Sequence, residues 1–173
     1  PLIRNIMTME KPVICAVNGV AAGAGASIAL ACDIVLAARS AKFVQAFSKI
    51  GLVPDSGGTF NLPRALGLPR AKGLALLGDK LSAEQAEQWG MIWQCVDDDT
   101  LMEETLALAE RLASLPPLGL AMTKKLLNDS FSTPLHQQLE IEKETMRWLG
   151  KTDDYQEGVS AFMEKRQPSF TGK

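Results

Sequence analysis

Histidine is almost missing from this chain: His136 is the only one, and no cysteine or carboxylate stands near it at triad or metal spacing. It reads as a surface residue of a polar helix face, and no metal site is expected. Cys15, Cys32 and Cys95 form an odd set without a C-x-x-C pair, and two of them lie in apolar runs. They read as reduced core thiols, which points to a cytoplasmic location. No apolar run reaches the roughly 20 residues that cross a bilayer, and no signal peptide is visible, so no membrane association is expected. Neither sign of charge is in excess, 18 Lys and Arg against 20 Asp and Glu. That balance gives no basic groove for nucleic acid and no patch for acidic lipid.

What is present is ordinary globular material. The 173 residues are 46% hydrophobic and 22% charged, enough for one domain, or one and a half, around a buried core. Apolar runs at 13–17, 34–37, 41–44 and 91–96 read as strands, with helices between them at 27–31, through Phe60, Leu62 and Leu66, and at 70–77. Ser82, three residues before Gln85, marks a capping-box helix start, and Asp97-Asp98-Asp99-Thr100 reads as a solvated cap ahead of a long helix. This alternation predicts an α/β fold with parallel strand pairing. Pro116-Pro117 is the one clear break, so the expected division is 1–115 and 116–173. Beyond it helices are expected at 118–128, 135–149 and 154–165. Trp89, Trp93 and Trp148 read as packing residues.

The chain is organised around Gly19 to Asp33, where a strand runs into Asn18-Gly19 and then into little but Gly and Ala before a short helix. Three meanings are open: close packing of helix on strand, a dinucleotide loop, or an oxyanion hole. The dinucleotide reading fails in detail, because Ile28 stands where the third glycine belongs, and Phe43-Val44 where the ribose-binding acid belongs. The oxyanion reading rests on unpartnered N–H groups at a helix start and on the positive end of its dipole. A second glycine-rich helix start, Gly57-Gly58-Thr59, follows Pro54-Asp55-Ser56. Proline stiffens that turn, so Asp55 is either a helix cap or a fixed carboxylate. An oxyanion hole facing a fixed carboxylate is what proton abstraction beside a thioester carbonyl requires.

With these residues on the page the sequence resembles a known family. K-P-V-I-C-A-V-N-G-V-A-A-G-A-G-A-S-I-A-L-A-C-D-I-V-L-A (11–37), G-L-V-P-D-S-G-G-T (51–59) and E-G-V-S-A-F-M-E-K-R-Q-P-S-F (157–170) are similar, in this order, to the crotonase family of enoyl-CoA hydratases and isomerases. The resemblance implies a spiral of ββα turns, incomplete at its N-terminus, and an all-helical C-terminal subdomain that assembles trimers or dimers of trimers. It implies an acyl-CoA thioester as substrate, with coenzyme A part of that substrate and no separate cofactor. It makes Ala24 an oxyanion-hole N–H and Asp55 the acid–base residue. Phe162 and Lys165 become contacts to CoA from an adjoining subunit, where the residues by themselves would read as core contact and solvated charge.

The two positions that hold the hydratases' glutamates are Ser27 and Phe47, which cannot activate water. The expectation is therefore an isomerase, shifting an enoyl-CoA double bond or isomerising a ring epoxide of phenylacetyl-CoA. Its alternatives are a hydratase with atypical groups and a non-catalytic scaffold on the same fold. The family pattern starts well before residue 1, so an upstream segment carrying a further oxyanion N–H is expected in a parent protein, or else the chain is a shortened homologue.

Overall fold

A computed structural model describes residues 1–173. They divide into two compact units, 1–7 with 13–107, and 8–12 with 108–173. Helix α1 (Leu2–Thr8) opens the chain. In the first unit β1 (Ile14–Val17), β3 (Ile34–Ala38) and β6 (Gln94–Val96) form one sheet, in the order β1-β3-β6. A second sheet has the order β2-β4-β5, from β2 (Val20–Ala22), β4 (Lys42–Val44) and β5 (Lys80–Ser82). The chain therefore deals one strand to each sheet and then makes a helix. β1 and β2 lead into α2 (Ala24–Ala31), and β3 and β4 lead to α3 (Gly58–Leu66) and α4 (Leu68–Leu77). This is the ββα alternation that the resemblance implies.

The first sheet is wholly parallel, with Ile14 opposite Ile34 and Leu36 opposite Gln94. Its central strand β3 is buried from Val35 to Ala38. A parallel strand covered on both faces has this unbroken apolar character. In the second sheet β2 pairs with β4 in parallel, whereas β5 returns antiparallel, with Phe43 opposite Leu81. Ala26, Ala29 and Ala31 are almost fully buried on α2, and Ala41, Ala83 and Ala86 have no exposed surface at all. Small side chains let these backbones approach closely, at a density that tolerates little added volume.

Several local readings need revision. β2 and β5 were not expected, and neither was the 3-10 turn Ala46–Ile50. The strand expected at 91–96 contracts to Gln94–Val96, because Met91 and Ile92 turn into the core. Trp93 and Trp148 are largely exposed rather than packed. The aspartate run does more than cap α6 (Leu101–Ala113). Asp97 pairs with Arg39 at 2.9 Å, and Asp98 accepts the Ser40 backbone N–H at 3.0 Å as well as its hydroxyl, so together they clasp the β3–β4 turn. The Ser82 cap is as expected: its Oγ accepts the Gln85 N–H at 3.2 Å ahead of α5 (Ala83–Gln88).

The second unit is helical: α7 (Pro117–Ser130), α8 (Leu135–Leu149) and α9 (Asp153–Glu164). The break at Pro116 falls inside this unit, whose limit lies within α6. Pro117 suits the first turn of α7, where an N–H would lack a partner anyway. Thr152 caps α9 by accepting the Tyr155 N–H at 3.2 Å. After α9 the chain doubles back on that helix. Asp154, only 3% exposed, accepts the N–H groups of Thr171 (2.6 Å) and Gly172 (2.9 Å). No helix is long and apolar enough to cross a membrane.

Candidate functional site

The site is built in the first unit, around the start of α2. Gly23 takes φ 53° and ψ −120°, a backbone state that side chains oppose, and from there the chain turns into the helix. Its N–H donates to the Val44 carbonyl at 2.8 Å, and its carbonyl accepts from Ser27 at 3.1 Å. Ala24, half-buried, is the first helical residue. An N–H there has no intrahelical acceptor and sits at the positive end of the dipole, which suits an oxyanion.

Asp55 lies in the loop before α3. It is solvent-exposed in this chain, and its carboxylate accepts no hydrogen bond within it. Its carbonyl accepts the Gly58 N–H at 2.7 Å, and the next two residues are left-handed, Ser56 at φ 50° and Gly57 at φ 79°. A non-glycine residue in that region is uncommon and costs about 1 kcal/mol or more. The turn is thus closed and strained, and it holds Asp55 at a defined place. Asp55 is not the N-cap of α3, since Gly57 occupies that position and makes no side-chain cap.

α3 packs directly on α2. At the contact a methyl group on Gly58 would lie 2.5 Å from Ser27 Oγ and 3.1 Å from Pro54 Cβ. Only a residue without a side chain fits there. Ala24 lies three positions before Ser27, and Asp55 three positions before Gly58. One tight contact therefore brings the oxyanion helix and the carboxylate loop together. Ser27 Oγ is completely buried and has no hydrogen-bond partner.

Phe47 lies on the 3-10 turn and is 8% exposed. Its ring packs over Gly23, 3.4–3.8 Å from where a Cβ would project. The two positions assigned to the hydratases' glutamates thus hold a sealed hydroxyl and an aromatic wall. Sequence reasoning saw both as inert and missed the part each plays in packing the site. The unusual Gly23 and Ser56 conformations were also missed, although Gly-Ala-Gly and Asp-Ser-Gly-Gly carried the turn signal.

Phe162 and Lys165 belong to the second unit. Phe162 projects from α9 with 81% of its surface exposed, and Lys165 ends that helix in the left-handed region at φ 55°. His136 is exposed on α8, and no cluster of three His, Cys, Asp or Glu residues could hold a metal ion. All three cysteines are free thiols, and a hydrogen bond from Cys32 holds Cys15 below the usual thiol range.

The family model for enoyl-CoA hydratase/isomerase matches residues 1–173. Over 173 residues the chain is 59% identical to a 1,2-epoxyphenylacetyl-CoA isomerase of Escherichia coli (strain K12), covering all of this chain and 66% of that protein. A 2,3-dehydroadipyl-CoA hydratase of the same organism is 38% identical over 168 residues, covering 97% of this chain and 66% of that one. Among solved structures, an enoyl-CoA hydratase from Polaromonas sp. JS666 superposes with a TM-score of 0.95 at 39% identity, over 98% of this chain and 66% of its own. One from Bacillus anthracis gives 0.96 at 34% identity, over 99% and 66%. The crotonase fold of the chain follows from these superpositions. The chain spans about two thirds of the length of these relatives.

Proposed function

We propose that this chain, which belongs to the enoyl-CoA hydratase/isomerase family, carries the acid–base centre of an isomerase acting on a CoA thioester. The observation that carries the reading is the Ser27–Gly58 contact, which joins the loop of one unengaged carboxylate, Asp55, to the helix that begins with the Ala24 N–H. Asp55 takes a proton from the carbon next to the thioester. The negative charge moves to the thioester oxygen, where the Ala24 N–H and a second donor from outside this chain hold it. Asp55 then returns the proton at another carbon. For a 3-enoyl thioester the proton leaves C2 and returns at C4, and the double bond moves to C2=C3. One carboxylate suffices for this exchange. Hydration needs a second group to activate water, and Ser27 and Phe47 supply none.

The 59% identity to the E. coli enzyme supports a ring epoxide of phenylacetyl-CoA as an alternative acyl group, within phenylacetate catabolism. Coenzyme A enters as part of the substrate, with no separate cofactor. We assign Phe162 and Lys165 to CoA contacts across a subunit boundary in a homotrimer or dimer of trimers, in the cytoplasm. The exposure of Phe162, Leu135, Met146 and Met163 supports such an interface, because apolar surface on this scale is rarely left to water. Residues 116–173 would then be the assembling part.

The test is Asp55→Asn in the full-length protein. Removing the base while keeping size and polarity should lower isomerase turnover by about 10²–10⁴-fold, with acyl-CoA affinity retained. Unchanged turnover would assign the carboxylate to the loop alone.

A further inference from the structure

We infer that Phe47 is a positioning and specificity-determining residue, a single side chain that aims the oxyanion donor and denies water an acceptor. The inference rests on the isomerase reading above and names the group that would commit the site to it.

Three contacts converge on this residue. Its ring lies on Gly23, at 3.4 Å from the Cβ position through Cζ. Gly23 is held from the same segment a second time, by the 2.8 Å hydrogen bond from its N–H to Val44. Gly23 sets the direction of the next peptide, whose N–H belongs to Ala24. Through its backbone Phe47 faces the other way: its carbonyl accepts the N–H of Leu52 at 2.9 Å and that of Gly51. Those bonds close the 3-10 turn and launch the 52–57 loop that carries Asp55. The oxyanion donor and the carboxylate loop are thus both referenced to one buried residue. A misplacement of about 1 Å in either costs on the order of 10² in rate.

The chemistry of the ring supplies the second half. Adding water to an enoyl thioester puts its oxygen on C3 and a proton on C2, and a polar group must hold and deprotonate that water. The edge of a phenyl ring offers no acceptor, and at 8% exposure it fills the space. On the Gly23 side of the site, then, no side chain is offered to deprotonate water, and Asp55 is left as the one proton carrier. An apolar wall also lowers the local dielectric, which strengthens the interaction of the Ala24 N–H with the developing oxyanion.

The experiment compares wild type, Phe47→Leu, Phe47→Ala and Phe47→Glu in the full-length protein, with 3-hexenoyl-CoA in ¹⁸O-labelled water. Conjugated enoyl thioester is followed by absorbance, and labelled 3-hydroxyhexanoyl-CoA by mass spectrometry. Wild type should yield the conjugated product without label. Phe47→Ala should lose about 10–100-fold in kcat with little change in KM, and Phe47→Glu, which offers water an acceptor, should release labelled hydroxyacyl product. Phe47→Leu, apolar and bulky, should keep the label out and recover part of the turnover. A purely structural role would lower the melting temperature without altering the products. A folded Phe47→Ala with wild-type kcat, or a folded Phe47→Glu that releases no label, overturns the inference while leaving the isomerase reading intact. If Phe47→Ala does not fold, Phe47→Val takes its place with the same two readouts. A wild type that shows no isomerisation overturns both readings.

Discussion

Replacing Gly58 by alanine tests the contact on which the whole site depends. The new methyl would sit 2.5 Å from Ser27 Oγ, far inside van der Waals contact, and 3.1 Å from Pro54 Cβ, too close by a few tenths of an ångström. Neither neighbour can yield cheaply. Ser27 is fully buried on α2, and Pro54 is a rigid ring on a closed turn. Overpacking of this kind costs about 1–3 kcal/mol, against a gain of at most about 1 kcal/mol when alanine replaces glycine in a helix. The net expectation is a loss of about 0–3 kcal/mol, lowering Tm by about 2–4 °C for each kcal/mol. Ser27→Ala should be neutral or stabilising, since it removes a buried hydroxyl without a partner, and such a group carries a desolvation cost of about 1–3 kcal/mol. It also removes the nearest atom, leaving Ser27 Cβ at 3.5 Å, an ordinary contact. The double variant Gly58→Ala/Ser27→Ala should therefore exceed the sum of the single changes in stability by about 1 kcal/mol or more. Urea unfolding of the four proteins measures that coupling, and turnover measured in parallel should fall and recover with it. Additive effects within about 0.3 kcal/mol would mean that α2 and α3 adjust freely, and the argument linking Ala24 to Asp55 would fail.

Other residues give simpler tests. Gly23→Ala should cost about 1–3 kcal/mol in urea unfolding, because φ 53° with ψ −120° is a glycine conformation and the new methyl would meet the Phe47 ring at 3.4 Å. Asp154→Ala should cost about 1–3 kcal/mol and speed amide exchange at Thr171 and Gly172, whose N–H groups it would leave unpaired. The Arg166 guanidinium and the Ser169 N–H hold Glu157 well below its usual value, at about 2. Its folded-state pKa is depressed, so its contribution is present above the unfolded-state value and is lost as pH falls toward 2. Carboxyl resonances followed by NMR should show Glu157 still ionised at pH values where the other glutamates are protonated, and a titration near the ordinary value would refute the clasp.

Helices and buried strands were legible in the sequence because each carries its own signal. α8 begins and ends where its apolar spacing said, at Leu135 and Leu149, and Ser82 caps as its position before Gln85 required. Elements without an internal signal were not legible. Val20–Ala22 contains two alanines and no polar alternation, and it becomes a strand only because Lys42–Val44 offers it a parallel ladder. Lys80–Ser82 is likewise defined by its partner strand. The candidate site divides in the same way. Residue types chosen for chemistry, Asp55 and the Gly-Ala stretch, stand out as exceptions to globular composition. Residues chosen for position do not, since Phe47 is an unremarkable apolar letter until its ring is found on Gly23 and its carbonyl on Leu52. Ser27 has the same character: its meaning lies in Gly58, 31 positions away in the chain. Chemistry at this site is written in single residues, whereas the choice between proton return and water addition is written in pairs that only the fold assembles. A search for the reaction type of a related chain should therefore read positions 23 with 47, and 27 with 58, as coupled pairs. A glutamate at 47 would face Gly23 with a carboxylate instead of a ring, giving water the acceptor that Phe47 denies it.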